Sequence, residues 1–464
     1  MSAHLESRLR EILREQRRGQ FMDVDRSCVD PVTTGVELKT PRTEFVEGRA
    51  RLRAVAESLD GDVIESPSGP CVVIDRFYPA DHCHGTVRIG DVRGLALSTR
   101  PELTLVGGIP SAGDSTPSPL LFVDLETTGL AGGAGTYAFL VGCAFFEPHG
   151  FRIRQYFLGA FQHERTLLNE VDGLVRRSAG LVSYNGKSFD VPVLETRFHF
   201  NRLAPPFEGY AHVDMLHVAR RFWRSAPAAP GAWPDTDSCR LSTLERLLFG
   251  VRRVGDVQGF EIPNRYFDYV RSGNAERLEP VFEHNRLDLL SLAMVTARAL
   301  QVLEDAPARC TSARESLAAG RILEGVGRLD DADRCYADAI DRSRSERGPA
   351  AGSVRADAMR HLAIRYRRGA RFTEAADLWR AIVVEREASP ILRREALEAL
   401  AIHFEHRARN LSEAHRFARL SLAERIGTRS MGASRHRLAR LDRKLAKLPG
   451  PCESGRLWQE ADGY

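Results

Sequence analysis

The stretch Leu121-Phe-Val-Asp124-Leu-Glu126-Thr-Thr-Gly129-Leu130 decides the fold. Leu121, Phe122 and Val123 form an apolar run of the kind that becomes a buried β-strand, and Asp124 and Glu126 follow two residues apart. Side chains alternate along a strand, so both carboxylates project from the same face. On a core strand two such acids repel each other and resist desolvation. A cation between them removes both difficulties, and oxygen ligands of this kind suit Mg²⁺ or Mn²⁺. The competing reading is a strand end in water with two solvated acids. Matching carboxylates further along the chain decide between the two.

The second acidic candidate closes Leu181-Val-Ser-Tyr-Asn185-Gly-Lys187-Ser-Phe-Asp190, where a strand runs into a polar turn and then a helix. Asp190 alone is a natural helix N-cap. Asn185 and Lys187, however, place polar groups at the carboxyl end of a strand, where open α/β sheets bind ligands. The third candidate is Glu283-His284-Asn285-Arg286-Leu287-Asp288. His284 and Asp288 are four apart and share a helical face. A surface pair is the plain alternative; an Asp with a His one turn earlier also supplies a metal ligand and a general base. Together Asp124, Glu126, Asp190 and Asp288 make four carboxylates from two strand ends and a helix. Four acids around two divalent ions suit phosphodiester hydrolysis, with His284 as the proton acceptor, since imidazole titrates near neutral pH.

Taken in order, these motifs resemble the DEDD or DnaQ-like 3′–5′ exonucleases of the ribonuclease H-like fold. The family's first motif, D-x-E after an apolar strand, is met by Asp124-Leu-Glu126; the second, Asn then an aromatic and Asp, by Asn185 to Asp190; the third by His284 and Asp288. The resemblance covers about residues 119–300. It implies metal-ligand roles for Asp124, Glu126, Asp190 and Asp288, a base role for His284, and contacts to a terminal nucleotide from Thr127, Thr128 and Gly129. Three residues separate His284 from Asp288, the spacing typical of members with tyrosine in place of histidine. The chain also resembles the YprB-type bacterial branch in Leu181–Asp190, in Asp256-Val-Gln-Gly-Phe-Glu261-Ile-Pro263 and in the run from His284.

Other polar residues sort less sharply. Asp214 ends the expected strand Ala211–Met215 and is expected to cap a helix or stand behind the site. Asp256 and Glu261 lie in a loop with Arg252 and Arg253, either shaping a substrate channel or serving an ordinary loop. Arg220 to Arg224 mix charge with Phe222 and Trp223, which suits phosphate holding and base stacking or, equally, a helix end packed in the core. His82-Cys83-His84 are three adjacent residues that cannot all face one ion along a strand.

The expected architecture is α/β, a ribonuclease H-like mixed sheet flanked by helices, followed by an all-α tetratricopeptide-like repeat domain. Strands are expected over Thr136–Phe146 and Phe151–Leu158 as a hairpin, and helices over 163–177, Val191–Phe200, Leu216–Trp223, Leu241–Phe249 and Val281–Leu300. The domains divide as 1–106, an appended region of mixed structure beginning with an amphipathic helix over 1–20; 107–119, a linker; 120–303, the ribonuclease H-like domain; 308–448, the repeats; and 449–464, a tail. In the repeats, Gly327-Arg-Leu-Asp-Asp-Ala332, Ala370-Arg-Phe-Thr-Glu-Ala375 and Arg409-Asn-Leu-Ser-Glu-Ala414 align, with alanine spacings of 43 and 39. That is longer than the ~34-residue tetratricopeptide unit, so loops such as 342–353 must be accommodated.

Composition sets the outer bounds. The 464 residues are 43% hydrophobic and 28% charged, ordinary for a soluble chain. No apolar run approaches the ~18 residues of a membrane span, and the N-terminus lacks an apolar signal core, so a cytoplasmic protein without a membrane partner is expected. The eight cysteines form no C-x-x-C pair and are expected as free thiols. Net charge is +4 overall, but residues 306–464 carry 31 basic against 22 acidic residues, or +9. That half suits a polyanion or a solvated helical surface. The resulting expectation is a metal-dependent nuclease on single-stranded DNA or RNA, a 3′–5′ exonuclease by resemblance, with two Mg²⁺ or Mn²⁺ ions and a protein partner on the repeats. A non-catalytic nucleic-acid-binding scaffold and a structure-specific endonuclease of the same fold are the alternatives.

Overall fold

A computed structural model describes residues 41–92, 94, 101–107, 118–129, 135–224, 239–424 and 431–447. The helix expected over 1–20 and the tail 449–464 lie outside the described residues. Residues 41–47 are helical, in the first turns of α1 (Pro41–Ser58), and the chain from Gly48 onward forms one unit.

In that unit the strands β1 (Asp62–Ile64) and β2 (Cys71–Pro79) come first, then the short hairpin β3 (Cys83–His84) and β4 (Val87–Arg88). Helices α2 (Ile89–Val92) and α3 (Glu102–Gly107) precede β5 (Leu120–Thr127), β6 (Ala138–Glu147) and β7 (Gly150–Phe157). Next are α4 (Glu164–Val175), β8 (Gly180–Ser183), α5 (Asp190–Phe200), β9 (His212–Asp214), α6 (Met215–Phe222), α7 (Leu241–Phe249), α8 (Ile262–Ser272) and the long α9 (Glu279–Glu304). Seven strands make one sheet in the order β1-β2-β7-β6-β5-β8-β9. β5, β6, β7, β2 and β1 pair antiparallel in turn, while β8 and β9 run parallel to β5.

The sequence reading sets 1–106 apart as an appended region; β1 and β2 instead extend the sheet. Val72, Ile74 and the rest of β2 pair with β7 over its whole length. The reason is an edge requirement: most of β7 is buried, and without β2 its row of main-chain N–H and C=O groups would be left unpaired, while Asp75 of β2 also meets Arg152 and Arg154 of β7.

The run read as a buried strand is buried on both sides, as strands between two helical layers are. Leu121, Val123 and Leu125 join Leu52 and Val55 of α1, Leu167 and Val171 of α4, and Val193 of α5. Leu120 and Phe122 join Val218 of α6 and Leu289, Leu290 and Leu292 of α9. The even-numbered positions therefore face α9, and the next two on that face are Asp124 and Glu126.

After α9 the chain is helical throughout: α10 (Ala313–Gly325), α11 (Leu329–Ser345), α12 (Pro349–Arg368), α13 (Phe372–Val384), α14 (Pro390–His406), α15 (Leu411–Ala423) and α16 (Met431–Leu445). Each packs on the next, and α12 also contacts α10 and α14, so helix pairs stack side by side. Ala332, Ala375 and Ala414 each take the fourth place of the second helix in a pair and are buried. A residue without a longer side chain there lets the paired helices close. The stack joins the α/β layer through one continuous core and through Glu315 of α10, which accepts from Trp223 Nε1 (2.8 Å) and Arg298 (2.7 Å). Among the described residues no helix is long and apolar enough to cross a membrane.

Candidate active site

β5, β8 and β9 are parallel, so their carboxyl ends lie along one edge of the sheet, the side on which such sheets place ligands. That edge carries Asp124 and Glu126 from β5, the turn 184–189 with Asp190 after β8, and Asp214 at the end of β9. Helix α9 crosses the same edge and brings His284, Asn285 and Asp288. The four sequence-predicted acids and the histidine are thus drawn to one place from three elements.

Two glycines make the approach possible. Gly142 of β6 sits opposite Asp124 in the register, and a Cβ there would lie 2.3 Å from Asn285 Oδ1 and 2.7 Å from Leu289. Gly186 in the turn after β8 leaves room for Ser183 and for Asp190, whose Oδ2 would lie 2.9 Å from a Cβ. Asn185 beside it takes a left-handed backbone, φ 69°, which asparagine tolerates better than most residues.

Asp214 fixes that turn. Its carboxylate accepts from the main-chain N–H of Asn185 (2.8 Å), Lys187 (3.2 Å) and, as the N-cap of α6, Leu216 (3.0 Å). The Lys187 side chain points to solvent. Thr127 and Thr128 are engaged within their own loop: Thr127 Oγ1 donates to Gly129 O, and Thr128 pairs with Tyr137 through its N–H and its Oγ1. Phe222 is core, and Trp223 packs against it with a tilted ring while donating to Glu315. This pair is spent on packing rather than open to bases. His84 is buried and Cys83 exposed, so the His-Cys-His run does not gather on one side.

The electrostatics of the acid cluster are unfavourable as the residues stand. Burial, then Asp288 and Asp190, lift the Asp124 carboxyl well above the usual range, against a hydrogen bond from Asn285. Burial, then Asp124, Asp288 and Asp190, lift Glu126 likewise. Asp190 is raised to about 7 by burial and by Asp214 and Asp288, opposed by N–H donors including Leu125. These acids are hard oxygen donors whose repulsion a divalent cation would relieve, and Asp124, Glu126, Asp190 and Asp288 would be its ligands. Among the described residues no three His, Cys, Asp or Glu side chains close into a finished ligand shell. Uncompensated carboxylates repel, and neighbours divert two of them: Asn285 donates to Asp124, and Arg253 to Asp288 at 2.5 Å.

His284 has a partner the sequence reading left in a loop. Its Nδ1 lies 2.7 Å from Asp256 Oδ1, and its Nε2 lies 3.5 Å from Asp288 Oδ2. A carboxylate only accepts, so Nδ1 carries a proton toward Asp256, while Nε2 faces Asp288 and the acid cluster. The sequence reading also missed Asn285, Gln155, Glu245 and Arg253 as members of this site. Asn285 adjoins His284 and was in view; nothing in one sequence says that a buried amide there reaches across to β5.

Residues 121–300 match the RNase_H superfamily family model. These residues have a ribonuclease H-like fold. The chain is also similar to the uncharacterized protein YprB of Bacillus subtilis (strain 168), 28% identical over 384 residues, which cover 81% of this chain and 86% of that protein. The likeness therefore runs beyond the ribonuclease H-like domain into the flanking segments.

Proposed function

We propose that this chain is a metal-dependent nuclease that hydrolyses phosphodiester bonds in single-stranded DNA or RNA, working as a 3′–5′ exonuclease. The observation that carries the reading is the convergence of Asp124, Glu126, Asp190 and Asp288 on one sheet edge, where burial and mutual repulsion hold Asp124, Glu126 and Asp190 above their ordinary range. The four carboxylates would hold two Mg²⁺ or Mn²⁺ ions, which would supply charge neutralisation and water activation there. His284, oriented by Asp256, receives the proton of the attacking water at Nε2. Thr127 to Gly129 and the turn at Asn185 and Lys187 border the site and would seat the strand end. The basic helical stack would guide the strand or recruit a protein. Its groove of about 340 Å³, lined among others by Arg367, Phe372, Trp379, Ile402 and Arg407, would offer a surface for that contact.

The test is purified protein with end-labelled single-stranded DNA and RNA in Mg²⁺ or Mn²⁺, beside Asp124→Ala. Cleavage that is lost in the variant is expected. Cleavage that persists unchanged in Asp124→Ala sinks the site. A circular single strand separates the modes: an exonuclease leaves it intact, an endonuclease opens it. Metal-independent binding without cleavage would point to the scaffold reading.

A further inference from the structure

Behind the acid cluster runs a chain of buried polar groups that begins outside the residues matched by the family model. His84 on β3 places Nε2 2.8 Å from Ser291 Oγ on α9. Ser291 Oγ donates to Glu245 Oε2 on α7. Its single proton is used there, so His84 Nε2 is the donor to Ser291. Glu245 in turn grips Arg253 at two points, Nε to Oε1 at 2.7 Å and Nη2 to Oε2 at 2.9 Å. The side chains of Arg253 and Glu245 are 6% and 1% exposed, so the pair is fixed in the interior.

From that anchorage Arg253 reaches forward to both halves of the third motif. Nη2 donates to Asp288 Oδ1 at 2.5 Å, and Nη1 to Asp256 Oδ2 at 3.3 Å. Asp256 holds His284, and His284 faces Asp288, so Arg253, Asp288, His284 and Asp256 close a ring. A planar guanidinium with five donors can make these contacts together; an ammonium cannot reproduce their directions.

We propose that Arg253 is a positioning residue: a buried guanidinium, braced by Glu245, Ser291 and His84, that sets Asp288 and the Asp256–His284 pair in one frame. This rests on the nuclease reading of the same site. It also answers the three-residue spacing of His284 from Asp288, the one typical of tyrosine members. The ring compensates by steering the imidazole from Asp256. The N-terminal hairpin then belongs to the working site, through His84, rather than to an accessory region.

The test uses the full chain and four variants: Arg253→Lys, Arg253→Gln, Ser291→Ala and Asp124→Asn. Steady-state cleavage of labelled single strands gives kcat and KM, and electron paramagnetic resonance of Mn²⁺ gives metal binding without substrate. Arg253→Lys is expected to lower kcat by about 10- to 100-fold with KM nearly unchanged, as loss of a ligand-orienting contact does. Ser291→Ala is expected to lower kcat in the same sense by less. Arg253→Gln removes a cation beside Asp288, so Mn²⁺ binding is expected to tighten several-fold while kcat falls.

Should Arg253→Gln fail to fold, Arg253→Lys and Ser291→Ala carry the test. Wild-type kcat in Arg253→Lys, or kcat and Mn²⁺ binding falling together in a folded Arg253→Gln, overturns the proposal. Wild type that neither cleaves nor binds Mn²⁺, or an Asp124→Asn that does both, overturns the nuclease reading instead.

Discussion

Asn285 donates from one amide nitrogen to both the side chain and the main chain of Asp124, at 2.8 and 3.1 Å. Its own carbonyl accepts from Gln155 Nε2 at 2.8 Å, and that nitrogen also reaches Phe282 O at 2.8 Å. The amide is fully buried, so its flip state is set by its neighbours: oxygen to Gln155, nitrogen to Asp124. Helix and strand are thereby locked at the point where the acids meet.

Gly142→Ala tests that lock. The new Cβ would meet Asn285 Oδ1 at 2.3 Å, so the helix or the amide must yield. A loss of about 1–3 kcal/mol in stability is expected from overpacking. Cleavage is expected to fall further than melting temperature alone explains, because Asp124 loses its orientation. Denaturant titration beside cleavage assays checks it. A variant with unchanged activity would mean that the close approach of α9 is not needed.

Asp190→Asn is expected to stabilise the metal-free protein, with a sign set by pH. The folded Asp190 titrates near about 7, above its ordinary 3.8. Its contribution to stability is full below the ordinary value and is lost as pH rises through about 7. At mildly alkaline pH wild type holds a buried, repelled carboxylate that the amide variant lacks. The gain there is on the order of 2 kcal/mol. Below the ordinary 3.8 the carboxyl is protonated in both the folded and the unfolded chain and the two proteins should melt alike, the difference growing from there up to about 7. Activity should be lost at both.

Much of this site was legible in one sequence because its parts have local signatures. An apolar strand ending in Asp124 and Glu126, a polar turn closing on Asp190, and a helical His284–Asp288 spacing each read without knowledge of contacts, and their order named the fold. What was missed depends on distant pairing. β2 meets β7 across more than seventy residues of chain, and its short apolar run could have belonged to any small sheet. Arg253 looked like a loop arginine because its role is created by Glu245 on α7 and Asp288 on α9. Asp256 carried a faint signal, an acid in a Gly/Pro-containing loop, but its choice of His284 over solvent is a fact of packing.

The end of the helical stack depends on one buried acid. The Glu405 side chain on α14 is 0% exposed and binds Arg437, Arg440 and Lys444 of α16. Although burial pushes its carboxyl up, hydrogen bonds from Arg440 and Lys444 prevail and hold it at about 2. Its contribution is present above the ordinary glutamate range and is lost as pH falls toward about 2. Glu405→Gln is expected to cost about 1–2 kcal/mol, discounted because its partners are partly in water. The loss should appear as early proteolysis within α16 while the sheet domain stays intact. Equal protection in both proteins would show that apolar contacts alone dock this helix.

Adding the metal should convert the repulsion among the acids into stability, and pH should set how much. Binding a divalent ion requires the carboxylates to be ionised, so it releases whatever protons they hold. Asp190 titrates near about 7, and Asp124 and Glu126 are raised as well. Ionising Asp190 opposes binding below about 7, and the raised Asp124 and Glu126 oppose it in the same sense, so binding strengthens as pH rises. Millimolar Mg²⁺ or Mn²⁺ should therefore raise the melting temperature more at about pH 8 than at about pH 6. A chelator should return the protein to its metal-free value at both. In Asp190→Asn the metal-induced rise should shrink and lose the part of its pH dependence that Asp190 supplies, while Asp124 and Glu126 keep the rest. A rise of equal size at both pH values in wild type would mean that the ion binds elsewhere, away from Asp124, Glu126 and Asp190.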